Sequence, residues 1–147
     1  MDINEIEKWH PKLIGKNWKI IQTNEILDDF NCIAFTLDIY HSWAGSSTKI
    51  WHNPTNRYPT LENYIDFYET YGYKVCVNSD YENKYDKIAI YKDDDSYIGH
   101  AAKQFGNMWR SKLGCSYIIE HKLEWLCGYD SYNYGEVSTI MKRKIIN

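Results

Sequence analysis

No two cysteines of this 147-residue chain stand at CxxC spacing. Cys32, Cys76, Cys115 and Cys127 are scattered along it, which leaves a structural zinc site without support. A basic block is missing too. Seventeen Lys and Arg face twenty Asp and Glu, a formal charge of −3. The densest cationic run, Lys142-Arg143-Lys144, reads as a solvated tail rather than the clustered face that nucleic-acid binding requires. No stretch approaches the roughly 20 apolar residues of a membrane helix, so neither a nucleic-acid nor a membrane partner is expected. Met1-Asp2-Ile3-Asn4-Glu5 has no cationic region followed by an apolar core, hence no Sec-type signal. The expectation is a cytoplasmic protein with reduced thiols, with signal-independent export left open. Asp93-Asp94-Asp95 lacks the spacing and closing glutamate of an EF-hand and reads as a solvated turn. No metal and no cofactor is expected.

Aromatic side chains are what the chain has in excess: Trp 6, Tyr 14 and Phe 4. Some must lie near the surface, where they can form a groove or a partner face. The length is that of one domain, 1–147, large enough for a core without staples, and no internal repeat or linker divides it.

Ile3 to Trp9 reads as a short helix stopped at His10-Pro11, and Asn17 to Gln22 as extended chain. Asp28 to Asn31 is a polar turn leading into an apolar helix from Cys32 to about His41, although its partial alternation also fits a strand. Ser42 to Pro59 is a long loop carrying Trp43, Trp51 and His52. Thr60 caps a helix through Leu61, Tyr64, Ile65 and Tyr68 that Gly72 ends. Strands are expected at Tyr73–Val77, Lys87–Lys92, Tyr97–Phe105, Met108–Leu113 and Gly135–Lys142. Gly106-Asn107 forms a type II′ link, and a helix is expected over Tyr117–Leu126. Helices first and antiparallel strands after make an α+β domain.

Cys32 follows Asn31, a good N-cap, so its thiol stands where unpaired amides and the helix dipole favour a thiolate. His100 stands near the start of a distant strand, and together they supply a nucleophile and a base. If Phe105 pairs with Met108, Ser111 becomes a diagonal neighbour of His100 and the candidate orienting residue. Gln22 is the candidate side-chain donor to an oxyanion, beside the Cys32 backbone N–H. Against this stands the ordinary reading of Cys32 as a small buried hydrophobe and of Gln22 as an exposed strand residue. His121, next to Glu120 on the expected helix, reads as a solvated surface residue. Cys115, in Gly114-Cys115-Ser116, is a turn cysteine of secondary interest.

The runs Phe30-Asn31-Cys32-Ile33-Ala34, Lys87-Ile88-Ala89-Ile90-Tyr91, His100-Ala101-Ala102-Lys103-Gln104 and Trp109-Arg110-Ser111-Lys112-Leu113-Gly114 resemble an uncharacterised family of small bacterial domains, over roughly residues 28 to 143. More distantly, a cysteine at a helix start followed by a histidine at a strand start resembles papain-like enzymes, especially cell-wall-peptide endopeptidases and amidases of the NlpC type. That resemblance implies an α+β fold in which the nucleophile helix packs on an antiparallel sheet. It places the catalytic roles on Cys32, His100 and Ser111, where such enzymes more usually have His, Asn or Asp at the third position. The implied function is a cysteine-dependent hydrolase or acyltransferase acting on an amide or isopeptide bond of a peptide, a peptidoglycan-like peptide or a protein. The alternative is a non-catalytic protein-binding or inhibitory module with an aromatic-lined surface, engaging a protein partner or itself bound by a cognate inhibitor.

Overall fold

The computed structural model describes residues 3–22, 27–113, 117–129 and 133–146. Three short helices, α1 (Ile3–Trp9), α2 (Cys32–Thr36) and α3 (Leu61–Glu69), accompany seven strands: β1 (Lys19–Gln22), β2 (Lys74–Cys76), β3 (Tyr85–Lys92), β4 (Ile98–Phe105), β5 (Met108–Lys112), β6 (Ile118–His121) and β7 (Glu136–Lys144). Short 3-10 turns occupy Pro11–Leu13, Leu27–Asp29 and Leu123–Leu126. All seven strands belong to one antiparallel sheet in the order β1-β6-β5-β4-β3-β7-β2.

The middle of the sheet is buried on both faces, and β3 shows why. Ile88, Ala89, Ile90 and Tyr91 are all fully buried. Ile88 and Ile90 join Ala101, Met141 and the side chains of α2 and α3 on one face. Ala89 and Tyr91 join Ala102, Trp109, Ile119, Ile6, Leu13 and Leu126 on the other. A strand covered on both sides reads as a continuous apolar run, as Ile88 to Tyr91 does.

The expected papain-like fold is not what forms. Strand makes up 35 % of the chain and helix 23 %, so the molecule is mostly sheet rather than a helix layer laid on one. Two segments account for the difference. The helix begun at Cys32 stops at Thr36, because Asp38 turns the chain at φ 59°. The helix expected over Tyr117–Leu126 is instead strand β6 followed by a 3-10 turn. There the β-branched pair Ile118-Ile119 fills the core, and Glu120 sits opposite both Lys19 and Arg110, forming ion pairs with each. Tertiary pairing overrides the local pattern.

The polar caps form as their side chains dictate. The Asn31 oxygen accepts from the Ala34 N–H at 3.0 Å and the Ala44 N–H at 3.1 Å, while its amide donates to the Ala44 carbonyl at 2.7 Å. One side chain therefore starts α2 and ties the following loop to it. Thr60 caps α3 through the Asn63 N–H at 3.3 Å. In the β4–β5 hairpin Phe105 pairs with Met108 across Gly106, which adopts φ 63°.

At Gly135 the backbone tolerates no other residue. Its φ is 85°, and an added Cβ would meet the Lys92 carbonyl oxygen at 2.1 Å. Gly135→Ala is expected to cost more than ~2 kcal/mol of folding stability. Gly106→Ala, at φ 63° with nothing within 4 Å of the new carbon, should cost only about 1–2 kcal/mol. Urea unfolding of the two variants beside the parent measures the difference; equal midpoints would contradict it.

Candidate functional site

Cys32 opens α2 with its side chain against β4. Its Sγ lies 3.7 Å from the Gly99 carbonyl oxygen, and the thiol is also within hydrogen-bonding reach of the Ala101 backbone. These groups flank His100. Among the described residues, β4 and β5 pair only from Lys103 opposite Arg110 to Phe105 opposite Met108, so the sulfur meets β4 where that ladder has lapsed. The residue is 8 % exposed. Burial pushes its thiol up to about 11, against the smaller opposing pulls of backbone groups at Ala101, Ile33 and Cys32 and of the Lys112 ammonium. At rest it is a neutral thiol.

His100 is fully buried and leaves β4 toward the face of Tyr91, its partner across the ladder. Its ring stacks on Tyr134 with centroids 3.7 Å apart and planes 7° from parallel. Nε2 lies 2.9 Å from the Ser111 hydroxyl, which lies 2.7 Å from Nε2 of His121. Nδ1 of His121 lies 2.8 Å from the Lys122 carbonyl oxygen. Ser111 and His121 are fully buried as well.

This chain has a fixed polarity. A carbonyl only accepts, so His121 carries its proton on Nδ1, and its Nε2 is a lone pair. Ser111 must donate its one hydroxyl proton to that lone pair, and its oxygen then accepts from His100 Nε2–H. His100 is left with a bare lone pair on Nδ1, a buried atom with no hydrogen-bond partner. Burial holds both imidazoles neutral. His100 lies well below the usual histidine value, through burial first and then the neighbouring His121 and His10. His121 is lowered to about 4, mainly by burial, with the Lys122 carbonyl and Glu120 pulling the other way. His10, 2 % exposed with its Nδ1 3.3 Å from the Asn133 side-chain oxygen, borders the cluster.

His100 and Ser111 thus meet on one face of the β4–β5 seam, whereas the Cys32 sulfur packs among the α2 and α3 side chains on the opposite face of β4, against the backbone of that strand. Gln22 ends β1, an edge strand separated from β4 by β6 and β5, and its side chain is not among those described. Cys115 lies outside the described residues. Cys76, half-buried on edge strand β2, points its sulfur at the Asn78 carbonyl; Cys127 points at the Leu123 carbonyl. The aromatic loop is largely turned inward. Trp51 stacks on Phe67 and meets Tyr64 edge to face, Trp109 is buried, and Trp43 is 42 % exposed.

The residue that sequence reasoning missed is His121. A helix over 117–126 put it on a solvated surface, whereas β6 turns it inward opposite Trp109. The signal was present in Ile118-Ile119, a β-branched pair that favours strand. No described helix is long and apolar enough to cross a membrane.

Residues 21–142 match the model of DUF7689, a domain of unknown function, and the chain belongs to that family. No curated protein and no solved structure matches the chain.

Because the folded pKa of His121 lies below its unfolded value, protonation favours the unfolded chain. The stability held above pH 6.5 is lost as pH falls toward 4, by about 3 kcal/mol from this residue. His100 acts in the same direction. Urea titrations from pH 7.5 to 4 should show His121→Gln with a shallower loss than the parent; parallel curves would refute the assignment.

Proposed function

We propose that this DUF7689 domain is a cysteine-dependent hydrolase or acyltransferase acting on an amide or isopeptide bond of a peptide or protein. Cys32 is the nucleophile, His100 the base, and Ser111 the group that holds the base in the correct tautomer. A reducing compartment such as the cytoplasm suits a chain that works through a free thiol. The observation that carries this reading is the bare Nδ1 of His100: a buried imidazole lone pair without a donor, on a strand whose flanking backbone groups hold the Cys32 sulfur.

The neutral state of both groups favours general-base catalysis over a preformed ion pair. Because the sulfur and the imidazole stand on opposite faces of β4, the reaction requires the lapsed β4–β5 seam to open; His100 Nδ1 then takes the thiol proton as the sulfur attacks the substrate carbonyl, and returns it to the departing amine as the tetrahedral intermediate collapses. Water, or a second amine, then attacks the thioester and regenerates the thiol. The backbone N–H groups of Cys32 and Ile33, already directed at the sulfur, are the assigned donors to the developing charge, with Gln22 as the side-chain candidate.

One observation favours the second reading, a binding module in which Cys32 only packs. The thiol is almost enclosed, while Tyr58, Tyr97 and Tyr129 are 70, 46 and 58 % exposed. An activated ester as surrogate acyl donor separates the two. On the enzyme reading, mass spectrometry finds the acyl group on Cys32 faster than on the more open Cys76, and Cys32→Ser abolishes that adduct. His100→Asn, checked for folding by circular dichroism, slows it about 10²-fold. Acylation at Cys76 alone, or at neither, supports the binding module.

A further inference from the structure

We propose that a pocket beside the β4–β5 hairpin, on the histidine-bearing face of the sheet, binds a small primary amine. Its ammonium group donates to the side-chain oxygen of Gln104 and is balanced by the carboxylates of Asp80 and Glu124. Cys32 is not part of this pocket, so the inference goes beyond the cysteine-dependent reading and stands or falls apart from it.

The pocket encloses about 250 Å³ between the loop at residues 79–81 and the turn at residues 122–124. Gln104 and Trp109, a cross-strand pair of β4 and β5, lie between those walls. Both walls are tied to the sheet through their backbones. On one side the buried Lys87 ammonium donates to the Asn78 and Asp80 carbonyls at 3.2 and 2.7 Å, and the Gln104 amide donates to the Ser79 carbonyl at 2.6 Å. On the other, His121 Nδ1–H donates to the Lys122 carbonyl at 2.8 Å and the Tyr91 hydroxyl to the Leu123 carbonyl at 2.7 Å. With the carbonyls held from beneath, the side chains of Asp80, Tyr81, Lys122 and Glu124 stand exposed around the mouth. Walls fixed before a ligand arrives lower the ordering cost of binding.

Gln104 supplies the demand for a ligand. It is 9 % exposed, and its bond to Ser79 fixes the amide, because the flipped form sets two oxygens against each other. Oε1 is therefore a buried acceptor without a partner, on a residue that lines the pocket. Such an acceptor costs free energy that a donor restores, so the ligand must bring an N–H or an O–H. The charge at the mouth selects between them. Among the described residues Asp80 and Glu124 enter no ion pair, and these two carboxylates face the one ammonium of Lys122, a formal charge of −1. An ammonium group supplies donors and the opposing charge together; a hydroxyl or an amide supplies donors alone, and a carboxylate or phosphate supplies neither. Trp109 and Tyr81 line the same space, where aromatic rings attract a cation, and Leu123 adds apolar surface for a short tail.

Calorimetric titration of the full chain at pH 7 with phenethylamine tests this, with phenethyl alcohol as the uncharged analogue of the same shape. The amine should bind at least tenfold more tightly than the alcohol. Nitrogen-15 spectra should show the Gln104 side-chain amide, assigned by its disappearance in Gln104→Met, shifting as amine is added. Gln104→Met should weaken binding tenfold or more. Asp80→Asn and Glu124→Gln, both at exposed positions, should weaken it about two- to fivefold each, and Lys122→Met should tighten it by a similar factor. If Gln104→Met does not fold, these three surface variants decide. Equal binding of amine and alcohol, or no binding of the amine, overturns the inference. So does parent affinity in the Asp80→Asn, Glu124→Gln double variant, or weaker binding in Lys122→Met.

Discussion

Burial of the central strands on both faces is the constraint from which the rest of the molecule follows. A strand such as β3, with no solvent on either side, gives every polar side chain in its neighbourhood the same problem: it must find a partner inside the protein. Lys87, 2 % exposed, directs its ammonium to the carbonyls of Asp80 and Asn78 at 2.7 and 3.2 Å, with Glu82 at 3.5 Å. Lys103 reaches both carboxylate oxygens of Asp38 at 2.9 Å. Asp38 is the left-handed residue that ends α2, so the stop of that helix is pinned to the strand that bears His100. The two imidazoles are linked through a serine instead, with His121 also bonded to the Lys122 carbonyl and Nδ1 of His100 left without a partner.

That solution determines which chemistry the site favours. Imidazoles held neutral by burial cannot offer a thiolate a resident counter-charge, and a thiol held near 11 does not ionise unaided. What the arrangement provides is a hydrogen-bonded chain of neutral groups in defined tautomers. Each hydrogen bond in it is short, its direction dictated by a single backbone carbonyl at Lys122.

Much of this was legible before any coordinates. Asn31 and Thr60 announced their caps because an oxygen on a short side chain has few other uses before an apolar run. Gly106-Asn107 set the β4–β5 register, and with it the nearness of Ser111 to His100, since a two-residue link leaves no slack. The errors were of another kind. Apolar residues at positions 118, 119, 123, 125 and 126 fit a helix as well as a strand followed by a tight turn, and only pairing with β5 and β1 decides between them. That one misreading hid His121. The length of α2 was overread because the apolar run continues to Tyr40, and nothing local signals that Asp38 will turn to meet Lys103, a partner 65 residues away. The papain-like expectation failed for the same reason: the order of chemical groups along a chain says little about how much sheet is assembled between them.

The lapse of the β4–β5 ladder beside Cys32 also bears on the life of the protein under oxidants. Peroxide attacks thiolates, and with the thiol at about 11 roughly one molecule in ten thousand carries one at pH 7. The sulfur is in addition wedged against strand backbone rather than open to solvent. An ordinary exposed thiol would climb toward sulfenic and sulfinic acid under such stress. Cys32, buried and with its ionisation suppressed, has the opposite character to a redox-sensing cysteine.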